Sequence, residues 1–315
     1  IACMQGRDSK HTIVADLTGL LPISQLSLET HGIIPLIRQL DGLLAGHRTV
    51  IIAVNPQQPD LHMLMRYMDR IELIAELPEA LGLYRQFKDT AKRIRCILVG
   101  PSSRTGPENH GDLPVSRTLA FIASSRESAW LARHLTGKKV GLALGAGGAR
   151  GFAHLGVLQV LEQADIPIDY IAGSSIGAMV GSFLAMGMNA AAITESLKQI
   201  WSPETVAELN VFSAEGHSVG MQTVMRAVTT FIGERTFVQL DTPLTIMTAD
   251  LNTQTAAPIN TDSLAEALCA GITIPGMTPP HVRGSQRLVD GIAIVPVPTA
   301  AVKNAGADIV IAVNL

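Results

Sequence analysis

The chain has 315 residues, 47% of them hydrophobic, and its 24 basic and 27 acidic residues give a net charge of −3. This length and apolar content suffice for the core of one large domain or two ordinary ones. Because no block of lysine and arginine stands out, a nucleic-acid partner has no electrostatic support and we set that role aside.

The first ten residues lack the basic start and apolar run of a secretory signal, and the chain begins with Ile1 rather than methionine. We therefore expect a piece of a longer protein.

Cys3, Cys96 and Cys269 are too few and too scattered for a disulfide framework or a zinc cluster, which favours a reducing compartment. The predicted location is the cytoplasm or the cytoplasmic face of a membrane.

Residues 47–137 alternate strand-like apolar runs with amphipathic stretches. The strand patterns cover 49–54, 71–75, 94–100 and 118–123, the helix patterns cover 81–92 and 125–135, and an exposed loop is predicted at 101–114. Such alternation predicts a parallel sheet flanked by helices. We assign residues 1–137 to a small Rossmann-like α/β domain, for which the sequence indicates no role.

A second α/β unit, residues 138–315, contains the motifs that indicate chemistry. Strand patterns are predicted at 140–144, 169–172, 244–249, 287–290 and 309–313, with helices following the first two at 152–161 and 176–186. The charge-free window 171–188 fits a buried helix on a sheet better than a membrane span. We expect the domain to continue beyond Leu315, because a hydrolase sheet is normally followed by further helix.

A glycine-rich run, Gly145-Ala-Gly-Gly-Ala-Arg-Gly151, lies between the first strand and the first helix of this unit. Backbone N–H groups in such a turn are free to bind negative charge. Gly147 and Gly148 are the best candidates for oxyanion donors, because no Cβ keeps a substrate oxygen away. Arg150 either braces the loop or attracts a phosphate, and His154 in the following helix is interpreted as a packing residue.

Ser175 lies in the second motif, Gly173-Ser-Ser-Ile-Gly177, between a strand and an apolar helix. This arrangement is typical of a nucleophile elbow, in which a sharp turn exposes the serine hydroxyl. A serine hydroxyl is a weak nucleophile at neutral pH, so it needs a base within hydrogen-bond reach and donors for the oxyanion. The pattern indicates acyl transfer.

The sequence offers two candidates for the base that activates Ser175. His281 could complete a triad with Asp250 or Asp262, since in α/β-hydrolases the histidine follows the acid, although its proline-rich surroundings suggest a solvated loop. Asp290 ends an apolar strand before a glycine turn, where active-site groups sit on open parallel sheets. A carboxylate alone can act as base if burial raises its pKa.

Four blocks in chain order resemble the patatin-like phospholipases. They are Gly145 to Gly151, Gly173 to Gly177, Ile274-Pro-Gly-Met-Thr-Pro-Pro280 and Asp290-Gly291. The resemblance covers residues 138–315 and implies a three-layer α/β/α hydrolase domain. It also implies a serine–aspartate dyad without histidine, in which Ser175 is the nucleophile, Asp290 the base, and Gly147 and Gly148 the oxyanion donors, with no metal or cofactor.

Within that family the sequence most resembles the neuropathy target esterase group and its bacterial relatives. This implies a phospholipid or lysophospholipid substrate at a membrane surface and regulatory domains upstream of Ile1. The sequence departs from the family pattern at Ala146, where glycine is usual, and at Ile292, whose bulk could narrow the pocket or change the turn. The alternatives are a soluble carboxylesterase that uses His281, and a degenerate patatin-like module that only binds.

Overall fold

The computed structural model describes residues 61–66, 71–89, 94–100, 113–120 and 125–315. The chain divides into two compact units, Ile1–Thr136 and Gly137–Leu315. The strand predicted at 49–54 and most of the loop predicted at 101–114 lie outside the described residues.

The first unit contains a parallel sheet of three strands in the order β1-β2-β3. Its described elements are α1 Leu61–Met65, β1 Ile71–Ala75, α2 Leu77–Phe87, β2 Ile94–Gly100, β3 Val115–Ala120 and α3 Ser125–Thr136. The α/β prediction is confirmed. The helix predicted at 81–92 begins four residues earlier, because Pro78 lies in its first turn, where the fixed φ and missing N–H of proline suit a helix start.

The second unit begins with strand–helix pairs, continues with four successive helices and ends in a mixture of strands and helices. Its elements up to the middle are β4 Val140–Leu144, α4 Phe152–Gln163, β5 Tyr170–Ser174, α5 Ile176–Ala185, α6 Ala190–Ile200, α7 Pro203–Ala207 and α8 Val219–Ile232. The remaining ones are β6 Leu244–Asp250, β7 Thr255–Ile259, α9 Leu264–Gly271, β8 His281–Arg283, β9 Gln286–Asp290, α10 Thr299–Asn304 and β10 Ile309–Val313.

Seven strands form one mixed sheet in the order β10-β4-β5-β6-β9-β8, with β7 also paired to β6. Strands β10, β4, β5 and β6 run parallel, whereas β7 and β9 run antiparallel to β6, and β8 runs antiparallel to β9. Strands β4 and β5 are buried along their whole length, as expected for parallel strands covered on both faces.

Helix α5 is at the centre of the second unit's core. Met179, Val180 and Phe183 on this helix are fully buried and pack with residues of α6, α8 and α9. The helix has only ten residues, and no helix in the described part of the chain is long and apolar enough to cross a membrane. The charge-free window 171–188 is therefore the end of β5 and a buried helix, as predicted.

Candidate active site

Ser175 occupies a strained turn between β5 and α5. Its backbone adopts φ 56° and ψ −125°, a conformation that L-residues rarely adopt. Strand β5 ends one residue before it, α5 starts one residue after it, and the side chain is half-buried. The hydroxyl is thus placed at the carboxyl end of a central strand, as the elbow prediction requires.

Gly173 and Gly177 allow the elbow to pack directly on neighbouring backbone. A Cβ added to Gly173 would lie 2.3 Å from the Gly177 carbonyl oxygen, and one added to Gly177 would lie 2.2 Å from the Leu144 carbonyl oxygen. Both distances are far shorter than any real Cβ contact. Gly173 is therefore required for the close approach of β5 to α5, and Gly177 for the close approach of α5 to the end of β4.

We expect Gly177→Ala to lower the stability of the fold by about 1–3 kcal/mol or more, because the new methyl group meets rigid backbone atoms of Leu144 and Gly145. Gly156→Ala is the matched control, since this glycine is exposed on helix α4 and its added Cβ would meet no described atom within 4 Å outside the helix's own backbone and its chain neighbours. The control should gain about 0.5–1 kcal/mol from higher helix propensity. Chemical unfolding measures both, and equal stabilities of the two variants would contradict the close packing.

Strand β6 brings Ser175 and Asp290 to the same place on the sheet. Ser174 pairs with Met247 of β6, and Asp290 pairs with the next residue, Thr248. Strand β6 extends beyond the end of β5, and β9 returns antiparallel along that extension to end at Asp290. Asp290 was expected at the carboxyl end of a parallel strand. It instead reaches the site from an antiparallel strand whose pairing is offset.

Asp290 is almost fully buried, with 1% of its surface exposed. Its Oδ1 accepts a hydrogen bond from the Ile292 N–H at 2.9 Å, while Oδ2 has no hydrogen-bond partner within the described residues. Burial raises the pKa of Asp290, and two groups offset part of this rise by stabilising the carboxylate: the Ser175 hydroxyl, which lies close by without completing a hydrogen bond to Oδ2, and the Ile292 N–H. Asp290 therefore has the properties of a proton acceptor next to the serine.

The first two amides of the glycine-rich loop are already hydrogen-bonded within the fold. The Gly145 N–H donates to the Val313 carbonyl at 2.9 Å, and the Ala146 N–H donates to the Pro296 carbonyl at 2.8 Å. Ala146 is buried and its φ is not positive, so its methyl group is accommodated. The departure from glycine at this position leaves the loop intact.

The next two amides, those of Gly147 and Gly148, donate to no acceptor in the described part of the chain. Gly148 has φ +55° and is exposed, and the Gly147 carbonyl accepts from the Arg150 N–H at 3.2 Å. Two free N–H groups in succession, held in a turn of fixed shape, can bind a negatively charged oxygen. The predicted role of Gly147 and Gly148 as oxyanion donors requires this geometry.

Gly151 and Arg150 have different parts in the loop. A Cβ on Gly151 would lie 2.1 Å from Ile176 Cγ1, so this glycine lets the loop contact the first residue of α5. Arg150 is exposed, and its side chain forms no ion pair with any described residue. No salt bridge between Arg150 and a described residue therefore braces the turn.

His281 is not joined to Ser175 or to an acid among the described residues. It lies on β8 rather than in a loop, and it lines an open groove of about 580 Å³ whose lining contains neither Ser175 nor Asp290. Both acids proposed for the triad have other partners: Asp250 accepts from the N–H groups of Asn252 and Arg287, and Asp262 pairs with Arg283. The structure brings Asp290, not His281, to the serine.

Ile292 contributes to the site through its backbone. Its N–H holds Asp290 Oδ1, an interaction that any residue except proline can make, and its side chain is 49% exposed. No group of three or more His, Cys, Asp or Glu side chains in the described ranges is arranged to hold a metal ion.

Comparison with known proteins connects this site with one family. The family model described as patatin-like phospholipase matches residues 142–302, just over half of the chain. An NTE family protein of Mycobacterium tuberculosis is 37% identical over 181 residues, which are 56% of this chain and 49% of that protein. The chain thus spans about half the length of this relative.

Two animal proteins match a similar share of this chain but a smaller share of their own length. Patatin-like phospholipase domain-containing protein 7 of Rattus norvegicus is 31% identical over 199 residues, 59% of this chain and 14% of that protein. Neuropathy target esterase sws of Drosophila melanogaster is 28% identical over 198 residues, 59% of this chain and 13% of that protein.

Proposed function

Since the chain belongs to the patatin-like phospholipase family, we propose that it is a serine hydrolase of lipid acyl esters, of the phospholipase or lysophospholipase type. The observation that supports this most is the pairing of Ser175, on a strained strand-to-helix turn, with the buried carboxylate of Asp290. Desolvation makes that carboxylate a stronger base than a free aspartate. It can therefore activate the serine without a histidine.

In the proposed reaction the Ser175 Oγ attacks the carbonyl carbon of a fatty-acyl ester while its proton passes to Asp290. The tetrahedral oxyanion is held by the free N–H groups of Gly147 and Gly148, and one such donor is typically worth about 3 kcal/mol. Collapse of the intermediate releases the alcohol, which takes the proton from Asp290. Water then attacks the acyl-serine while Asp290 takes its proton, and collapse of this second intermediate releases the fatty acid as the proton returns from Asp290 to the Ser175 Oγ.

The surroundings of the site support an apolar substrate presented at a membrane surface. Phe152, directly after the glycine-rich loop, and Ile292 and Ile294, directly after Asp290, are 39%, 49% and 42% exposed. Apolar side chains beside a site can enter the boundary between lipid headgroups and acyl chains. Arg150 on the same loop has no ion-pair partner among the described residues and is suited to a lipid phosphate.

A lipid-panel assay tests the proposal. Purified protein is incubated with phospholipid, lysophospholipid and triacylglycerol dispersions and with a short-chain ester, and released fatty acid is measured. We expect release from the phospholipid or lysophospholipid, and none with the Ser175→Ala variant. Hydrolysis confined to the short-chain ester would contradict the lipid substrate, and hydrolysis of no substrate would contradict the enzyme assignment.

The pH dependence of kcat/KM follows from the raised pKa of Asp290. The base must be ionised, so kcat/KM should fall as the pH decreases, with a midpoint above the value of about 3.9 of a free aspartate. The His281→Ala variant should have the same midpoint. A midpoint that disappears in His281→Ala would identify the histidine as the titrating group and contradict the dyad.

A further inference from the structure

His154 is a fully buried histidine in the first turn of α4, directly after the glycine-rich loop. Its Nε2 lies 2.8 Å from the Gly145 carbonyl oxygen. A carbonyl only accepts hydrogen bonds, so Nε2 carries the proton and donates. Burial lowers the pKa of His154, which keeps the ring neutral.

The other ring nitrogen, Nδ1, is buried and has no hydrogen-bond partner within the described residues. A buried polar atom without a partner reduces stability. An apolar side chain of similar size would avoid this cost. The histidine at position 154 is thus poorly explained by packing, and its hydrogen bond to the Gly145 carbonyl is the feature that distinguishes it from a core residue.

That hydrogen bond holds one end of a peptide group whose other end is also held. The Gly145 carbonyl and the Ala146 N–H belong to the same peptide plane. His154 donates to the carbonyl, and the N–H donates to the Pro296 carbonyl at 2.8 Å. These two hydrogen bonds hold the carbonyl and the N–H, which point in opposite directions from the chain, and so prevent the peptide group from rotating.

Together with the φ and ψ of the buried Ala146, the orientation of this plane sets where the next amide points. The following N–H is that of Gly147, the first free donor of the loop. Glycine restricts its own backbone rotation least of all residues, so a loop with Gly145, Gly147 and Gly148 depends on outside contacts for its shape. Oxyanion donors stabilise a transition state only if they are already aimed before the charge develops.

We propose that His154 is a positioning residue of the oxyanion hole: its bond to Gly145 fixes the peptide plane from which the Gly147 N–H is aimed at the oxyanion. This role rests on the proposed hydrolase function. His154 does not contact the reacting atoms and exchanges no proton during the reaction.

Three variants test the role through the kinetics of ester hydrolysis. His154→Leu keeps the volume and removes the donor, and it should lower kcat by about 10- to 100-fold with little change in KM, because the loss concerns the transition state. His154→Gln places an amide N–H near the position of Nε2 and should recover most of the activity. Leu161→Ala, a buried residue of the same helix, controls for general loss of α4 stability.

The role is overturned if His154→Leu keeps the kcat of the unmodified protein, or if Leu161→Ala lowers kcat as much as His154→Leu does. Should His154→Leu not fold, His154→Asn replaces it, since the shorter amide does not reach Gly145; equal kcat of the Asn and Gln variants then overturns the role. Absence of hydrolysis in the unmodified protein would instead overturn the proposed function.

Discussion

Replacement of Ser175 with alanine is expected to lower acyl-ester hydrolysis on the order of 10⁶-fold, the loss that follows when a serine nucleophile is removed. The fold should persist, because Ser175 is half-buried and alanine keeps its Cβ while removing only the hydroxyl. Initial rates on a short-chain ester, together with circular dichroism, measure the two effects. Activity that survives in Ser175→Ala would place the nucleophile elsewhere.

Ser175→Gly should be as inactive as Ser175→Ala but more stable by about 1 kcal/mol. At φ 56° a residue with a Cβ bears a cost of about 1–2 kcal/mol that glycine avoids, and part of this gain is offset by the larger backbone entropy of glycine in the unfolded chain. Denaturant unfolding of the two inactive variants compares the strain directly. A less stable glycine variant would show that the elbow is not strained.

Replacement of Asp290 with asparagine is expected to lower kcat/KM by about 10²- to 10⁴-fold, the contribution that a general base typically makes. Asparagine can still accept the hydrogen bond from the Ile292 N–H through its Oδ1, so the turn should keep its shape. It cannot take the serine proton. The variant separates the loss of the base from a loss of structure.

The same variant should be more stable than the unmodified protein near neutral pH. Burial raises the pKa of Asp290 in the folded state, so ionisation of this carboxyl disfavours folding. This cost is absent below the pKa of the unfolded chain and complete above the pKa of the folded state. We expect Asp290→Asn to gain about 0.5–2 kcal/mol at pH 8 and little at pH 4.

Thermal unfolding at the two pH values checks this expectation. If the stability gained by Asp290→Asn increased as the pH fell, the raised pKa would be contradicted. That pH dependence is the one expected of a carboxylate that the fold stabilises. Exchange of activity for stability at one residue is common in active sites, where groups are held in environments that suit the reaction rather than the fold.

The elbow and the glycine-rich loop could be predicted from the sequence because each depends on neighbouring residues. Ser175 lies between an apolar strand and an apolar helix, and glycines stand where the chain must turn or approach backbone. The family resemblance then singled out Asp290, which the local pattern left as one of two bases. The matched family confirms that resemblance, while the roles of the individual residues stay predictions.

Features that depend on pairing between distant parts of the chain could not be predicted. The antiparallel direction of β9 and its offset along β6 are set by tertiary contacts, and a short apolar run shows only that a strand is present. His154 was interpreted as a packing residue, because its partner is a carbonyl oxygen, which leaves no mark in a side-chain pattern. A buried histidine one turn beyond a glycine-rich loop is the signal that could have indicated it.

The central claim is that Asp290, without a histidine, activates Ser175. It is tested most directly by the rate at which a fluorophosphonate forms a covalent adduct on Ser175, followed by intact-protein mass spectrometry in the unmodified protein and in the Asp290→Asn and His281→Ala variants. We predict that His281→Ala is labelled as fast as the unmodified protein and that Asp290→Asn is labelled at least about 10²-fold more slowly. Unchanged labelling of Asp290→Asn together with slow labelling of His281→Ala would contradict the dyad.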